Sequence, residues 1–304
     1  MSRKLIPGGK IGARRRVRMR SALLLTLAAC TLTTCSRLLS PFAGAFGGAL
    51  IQLVLTAAAF GGGAYLGLCV LDGRQEKIAP RRNLSRAQVY HLALLGLMAA
   101  APATLLADIG RTILYGADAV NTAAIAGMQR PGASFLLRLI SGALIAPVCE
   151  ELFFRGYLLG ALKRYGMTAA VLVSSLCFAL AHGMDGFLIR LLLGALFALL
   201  MIRSDSLYAP MLAHGCYNLA LVLLSYAGLA PLFSRMTLIS CALRLALCAG
   251  FVMALNRFCK ARPAVQAMRK PCEGLTRRER TLLIGAAGAV ALSMLLALIT
   301  GVTG

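Results

Sequence analysis

The chain has 304 residues, 59% of them hydrophobic and only 14% charged, where an average soluble domain carries roughly a quarter charged residues. With a mean hydropathy of +0.80, so much apolar surface cannot be hidden in one water-soluble core, and a bilayer must serve as part of the solvent. The formal net charge of +22 would suit nucleic acid. The basic residues, however, fall in short stretches between apolar runs and not on an amphipathic face, which is the pattern of membrane loops and excludes a nucleic-acid partner.

In chain order, residues 1–20 form a basic tail. Apolar runs then predict nine helices, over 21–39, 43–71, 88–108, 133–162, 168–183, 186–203, 207–228, 236–256 and 281–300. At ~1.5 Å per residue most of these reach across ~30 Å of hydrocarbon. The fold class expected is therefore all-α, a polytopic transmembrane bundle of eight or nine spans. The first helix has two readings. It is a retained span by default, but its basic flank and Leu27-Ala28-Ala29-Cys30 resemble a lipoprotein cleavage site, and the rest of the topology is the same in both cases. In the second helix, Gly61-Gly62-Gly63 is expected to bend or break the rod. Residues 21–132 thus hold the N-terminal spans, 133–228 a central core, and 229–304 the C-terminal spans with a basic loop at 257–280.

Counting Lys and Arg on alternate sides orients the bundle. The tail, the loops after the second, fourth and sixth helices, and the 257–280 loop together carry twenty-four; the other side has only Arg37, Arg111, Arg130 and Arg235. A multi-pass cell-membrane protein with a cytoplasmic N-terminus and an outer C-terminus is expected. Arg138, Arg190 and Arg244 lie within apolar runs; the first two are expected to snorkel, and Arg244 to pair with an acid the sequence does not identify. Asp108, Asp118, Asp185 and Asp205 fall at helix ends or in loops, where solvation accounts for them. His91, at the start of the third helix, is expected to be interfacial. The cysteines show no CxxC and no zinc-ribbon spacing, so Cys149, Cys177 and Cys216 are expected to be small packing residues.

Ionisable groups inside a membrane are costly and usually functional, and here they concentrate in the central core. The fourth helix carries Glu150, Glu151 and Arg155, the fifth Phe178 and His182, and the seventh His214 and Asn218. Glu151 and Arg155 are i,i+4 and can pair on one face, while Glu150 points about 100° away. His214 and Asn218 share the same spacing, and Phe178 sits one turn before His182. Measured from the cytoplasmic ends of their helices, Glu150 lies ~18 Å, His182 ~20 Å and His214 ~10 Å deep. All three levels are expected between that face and the bilayer middle, with a substrate approaching from the same half. The bland alternatives are a packing ion cluster for the carboxylates, a core histidine for His182, and interhelical hydrogen bonding for His214 and Asn218.

Glu-Glu-x-x-x-Arg, Phe-x-x-x-His and His-x-x-x-Asn, in that order on successive helices, resemble the CAAX-protease and bacteriocin-processing (CPBP) family of intramembrane endopeptidases, over roughly residues 134–227. The resemblance implies that Glu150 and His182 activate a water for attack on a peptide carbonyl. His214 and Asn218 would stabilise the oxyanion, and Glu151 with Arg155 would be the structural pair. It also implies a membrane-associated protein or peptide substrate. Whether that substrate is prenylated stays open, because the Arg- and Ala-rich chain looks bacterial. A metal-dependent variant would use Glu150, His182 and His214 as zinc ligands. Without an HExxH helix to supply a separate base, the expectation is a glutamate-activated water and no cofactor. A non-proteolytic immunity or scaffold protein and a proton-coupled transporter are the rival classes, and no inverted repeat supports the latter.

Overall fold

In the computed structural model, the described residues are 8–71, 83–115, 135–182, 186–226 and 238–261. They form eight helices and no strand. These are α1 (Gly8–Leu39), α2 (44–71), α3 (Arg86–Tyr115), α4 (135–162), α5 (Met167–Ala181), α6 (Phe187–Ser204), α7 (Tyr208–Tyr226) and α8 (Leu238–Ala261). Five segments within them are long and apolar enough to cross a membrane: Ser21–Leu39, Phe46–Cys69, Arg86–Gly110, Phe187–Ser204 and Leu238–Ala261. The chain is a multi-pass helical membrane protein. The ninth predicted helix, over 281–300, lies outside the described residues, as do Asp118 and Asp185.

The second helix does not break at its three glycines. Residues 57–62 and 66–71 instead take wider π turns. In hydrocarbon a broken helix would leave backbone donors unsatisfied, whereas a π turn keeps them bonded. Helix α7 is the packing centre, lying against α3, α4 and α6, while α1 lies against α2 and α5. Two close approaches set the position of α7. A Cβ at Gly96 of α3 would collide with the backbone of Ala213, and one at Gly215 would meet the Ala143 carbonyl at 2.8 Å. These glycines flank His214 on both sides and hold its helix tightly between α3 and α4.

One expectation is corrected at the helix interfaces, and two further polar side chains have partners there. Asp108 is not a solvated helix-end residue, because α3 continues past it to Tyr115 and leaves it 4% exposed. It is the acid that Arg244 needs, accepting from Arg244 Nη1 at 2.5 Å with the guanidinium fully buried. His91 Nε2 donates to the Ala254 carbonyl of α8 at 2.9 Å. Arg190 Nη1 donates to the His182 carbonyl at 3.2 Å. Removing one partner of a buried ion pair strands the other charge at a cost of about 3–5 kcal/mol. Asp108→Ala is therefore expected to lower yield and melting temperature sharply, and Asp108→Ala with Arg244→Met to recover much of the loss in a thermal melt.

Candidate active site

The polar residues of α4 sit on a helix with an irregular backbone. Two π turns, over Leu139–Ile145 and Leu152–Leu158, flank the α-helical stretch Ala146–Glu151. Such turns are frequent at functional sites because an extra residue per turn re-aims the side chains around them. Here they turn Glu150, Glu151 and Arg155 inward together, at 5%, 0% and 0% exposure.

Glu151 and Arg155 pair as their spacing predicts, Nη1 to Oε1 at 2.9 Å. The pair is also built into a larger network. Arg155 Nη2 donates to the Gly194 carbonyl of α6 at 2.8 Å, and its guanidinium lies 4.6 Å from the Phe178 ring centroid. Glu151 Oε1 also accepts from His214 Nδ1 at 2.9 Å. Glu151 is thus both the partner of Arg155 and the group that orients His214. Its position in the motif could not reveal this, because the contact depends on how α7 packs against α4.

The two histidines point the same kind of atom at one place. His182 Nδ1 lies 2.8 Å from the Phe178 carbonyl, which can only accept, so Nδ1 carries a proton and Nε2 faces elsewhere. The Glu151 carboxylate fixes His214 Nδ1 as a donor in the same way. Both Nε2 atoms then face Glu150 Oε2, His182 at 3.5 Å and His214 at 3.9 Å. Glu150 Oε2 is buried without a hydrogen-bond partner among the described residues. Aromatic rings wall the cluster: Phe178 lies 4.6 Å from His182 and 5.7 Å from His214, and Phe197 stacks on His214 at 4.6 Å. Phe178 was expected to shield His182. Phe197 belongs to no motif, and only the packing of α6 reveals it.

Asn218 stands slightly apart. Its Nδ2 donates to the Gly142 carbonyl at 2.7 Å. Gly142 also lines a cavity of about 580 Å³ between the Ser40–Ala43 turn, α2, α4 and α7, with Gln52, Thr56, Arg138, Ser141 and Ala146. Ala146 is one helical turn before Glu150, so the cavity approaches the cluster from that side. His182 caps the C-terminal end of α5, beside Arg37 in the last turn of α1.

Two imidazole nitrogens and a carboxylate oxygen are donors that zinc accepts, and with bonds of about 2.0–2.2 Å a tetrahedral site would bring them to roughly 3.3–3.5 Å of one another. The donor types fit, and one of the two separations is close. Nevertheless, no group of three or more His, Cys, Asp or Glu among the described residues forms a metal-holding set as placed.

The Glu151–Arg155 bond should be separable from the orientation of His214. Arg155→Ala leaves a buried carboxylate with only His214 for a partner and should cost about 3–5 kcal/mol. Glu151→Leu with Arg155→Met should regain much of that stability in a thermal melt while leaving His214 unheld, so stability returns and function does not. Full activity in this double variant would show that orienting His214 is immaterial.

Residues 132–220 match the family model described as type II CAAX prenyl endopeptidase Rce1-like. YdiL of Bacillus subtilis (strain 168), which is named as a membrane peptidase, is 29% identical over 111 residues, or 36% of this chain and 44% of its own length. The match therefore spans less than half of that relative. No solved structure matches the chain. Glu150, Glu151, Arg155, His182, His214 and Asn218 all lie within 132–220, the segment that matches the Rce1-like family of type II CAAX prenyl endopeptidases.

Proposed function

We propose that the chain is an intramembrane endopeptidase that hydrolyses a peptide bond in a membrane-associated protein or peptide. The observation that carries this reading is the convergence of His182 Nε2 and His214 Nε2 on the buried Glu150 Oε2. A carboxylate and an imidazole in contact, with Phe178 packed against the ring, can hold a water and take its proton as general base. The proton then passes within the Glu150–His182 pair to the leaving amine.

A proton carried on His214 Nε2 during the reaction is a donor toward the oxyanion of the tetrahedral intermediate, with Glu151 fixing the ring. Asn218, beside the cavity, offers its second amide proton to the substrate backbone or the oxyanion. The cavity volume falls within the range of binding clefts and accommodates an extended peptide segment.

The two Nε2 atoms beside Glu150 Oε2 also favour a second reading. Glu150, His182 and His214 would hold a zinc ion, which would supply Lewis-acid polarisation of the scissile carbonyl when bound. Of the other classes, a transporter gives no reason for Glu151 to fix the ring of His214, and a scaffold gives none for two histidines converging on one carboxylate. The N-terminus is proposed to be cytoplasmic on the charge distribution, which places Ser40, Arg138 and the cavity they line toward the outer side and not in the cytoplasmic half from which the substrate is expected to approach. Comparative proteomics of membrane fractions from cells carrying wild type or Glu150→Ala tests the function directly. A substrate should accumulate uncleaved in the variant, whereas identical proteomes would count against a protease.

A further inference from the structure

The end of the helix that presents His182 is held by groups outside the motifs, and the strongest of them comes from α1, which lies outside the family-matched segment. Helix α5 stops at Ala181, so its last carbonyls have no partner within the helix. In a membrane such carbonyls need donors. Arg37 Nη2 donates to the Ala181 carbonyl at 2.5 Å, and Thr33 Oγ1 reaches the same oxygen at 3.4 Å. Arg190 Nη1 holds the next carbonyl, that of His182 itself, at 3.2 Å. Two guanidinium charges thus sit at the negative end of the helix dipole, where cations are favoured.

This cap bears directly on the ring. His182 is the first residue past the helix, and its side chain bonds back to Phe178, one turn earlier. Its Nε2 therefore reaches Glu150 only while the last turn stays wound. We propose that Arg37, supported by Thr33, is a positioning residue for His182, so that α1 completes a site otherwise carried by 132–220. This inference rests on the proposed role of His182, but its test does not, because it reads the ring and not turnover.

The chain has three histidines, His91, His182 and His214, so ring-¹⁵N-labelled full-length protein in bilayers gives a spectrum that single His→Gln variants can assign. In wild type, His182 should show one sharp Nδ1–H signal. In Arg37→Ala it should split or broaden into a mixture while His91 and His214 keep their signals. Arg37→Lys should restore the single form. Thr33→Val, a milder change, should give a partial effect and keeps the test available if Arg37→Ala fails to insert. His182 signals unchanged in both Arg37→Ala and Thr33→Val would overturn the proposal, as would disturbance of all three histidines alike, which marks a general loss of fold.

Discussion

Glu150→Gln should abolish cleavage, lowering turnover by roughly 10²–10⁴-fold, the usual contribution of a general base, while the protein inserts and melts like wild type. The substitution keeps the shape of a side chain that is 5% exposed and removes its ability to take a proton. The Glu151–Arg155 pair that holds the helices is untouched, so the damage should fall on kcat. The measurement is turnover of the accumulated substrate by purified variant and wild type reconstituted side by side. Unchanged turnover would remove Glu150 from the chemistry.

His214→Ala should be the next most damaging change. If Nε2 donates to the oxyanion, kcat should fall by roughly 10²–10³-fold with KM little altered. The ring also bonds Glu151 and stacks on Phe197, so some stability is lost too. A merely structural ring would show the opposite division, with a lowered melting temperature and an intact kcat at permissive temperature. Kinetics measured well below the melting transition of the variant separates the two.

Some of this site was legible in the amino-acid order because helical spacing is a strong constraint. Glu151 and Arg155, or Phe178 and His182, meet along one helix wherever that helix lies. Contacts between helices were not legible. Asp108 and Arg244 are 136 residues apart, and Asp108 looked solvated because the apolar run ends just before it, although α3 continues through polar residues to Tyr115. Arg37 looked like a solvated loop charge, and only the short length of α5 brings its carbonyls within reach. The bond from Glu151 to His214 required knowing that Gly96 and Gly215 let α7 pack closely against α3 and α4. The glycine triplet of α2 marked an irregular stretch but not a break: residues 57–62 take a π turn, and in a bilayer backbone hydrogen bonding keeps the helix continuous.

The central claim is that Glu150 and His182 activate water without a bound ion, and metal analysis of the purified active protein tests it most directly. The chain should contain far less than one zinc per molecule and keep its turnover after exhaustive chelation, in wild type and, at its reduced level, in His214→Ala. Ligand deprotonation and occupancy would instead tie activity to metal content. Stoichiometric zinc that is stripped together with activity, returns with it on zinc addition, and is absent from His214→Ala would contradict the claim and assign Glu150, His182 and His214 as ligands.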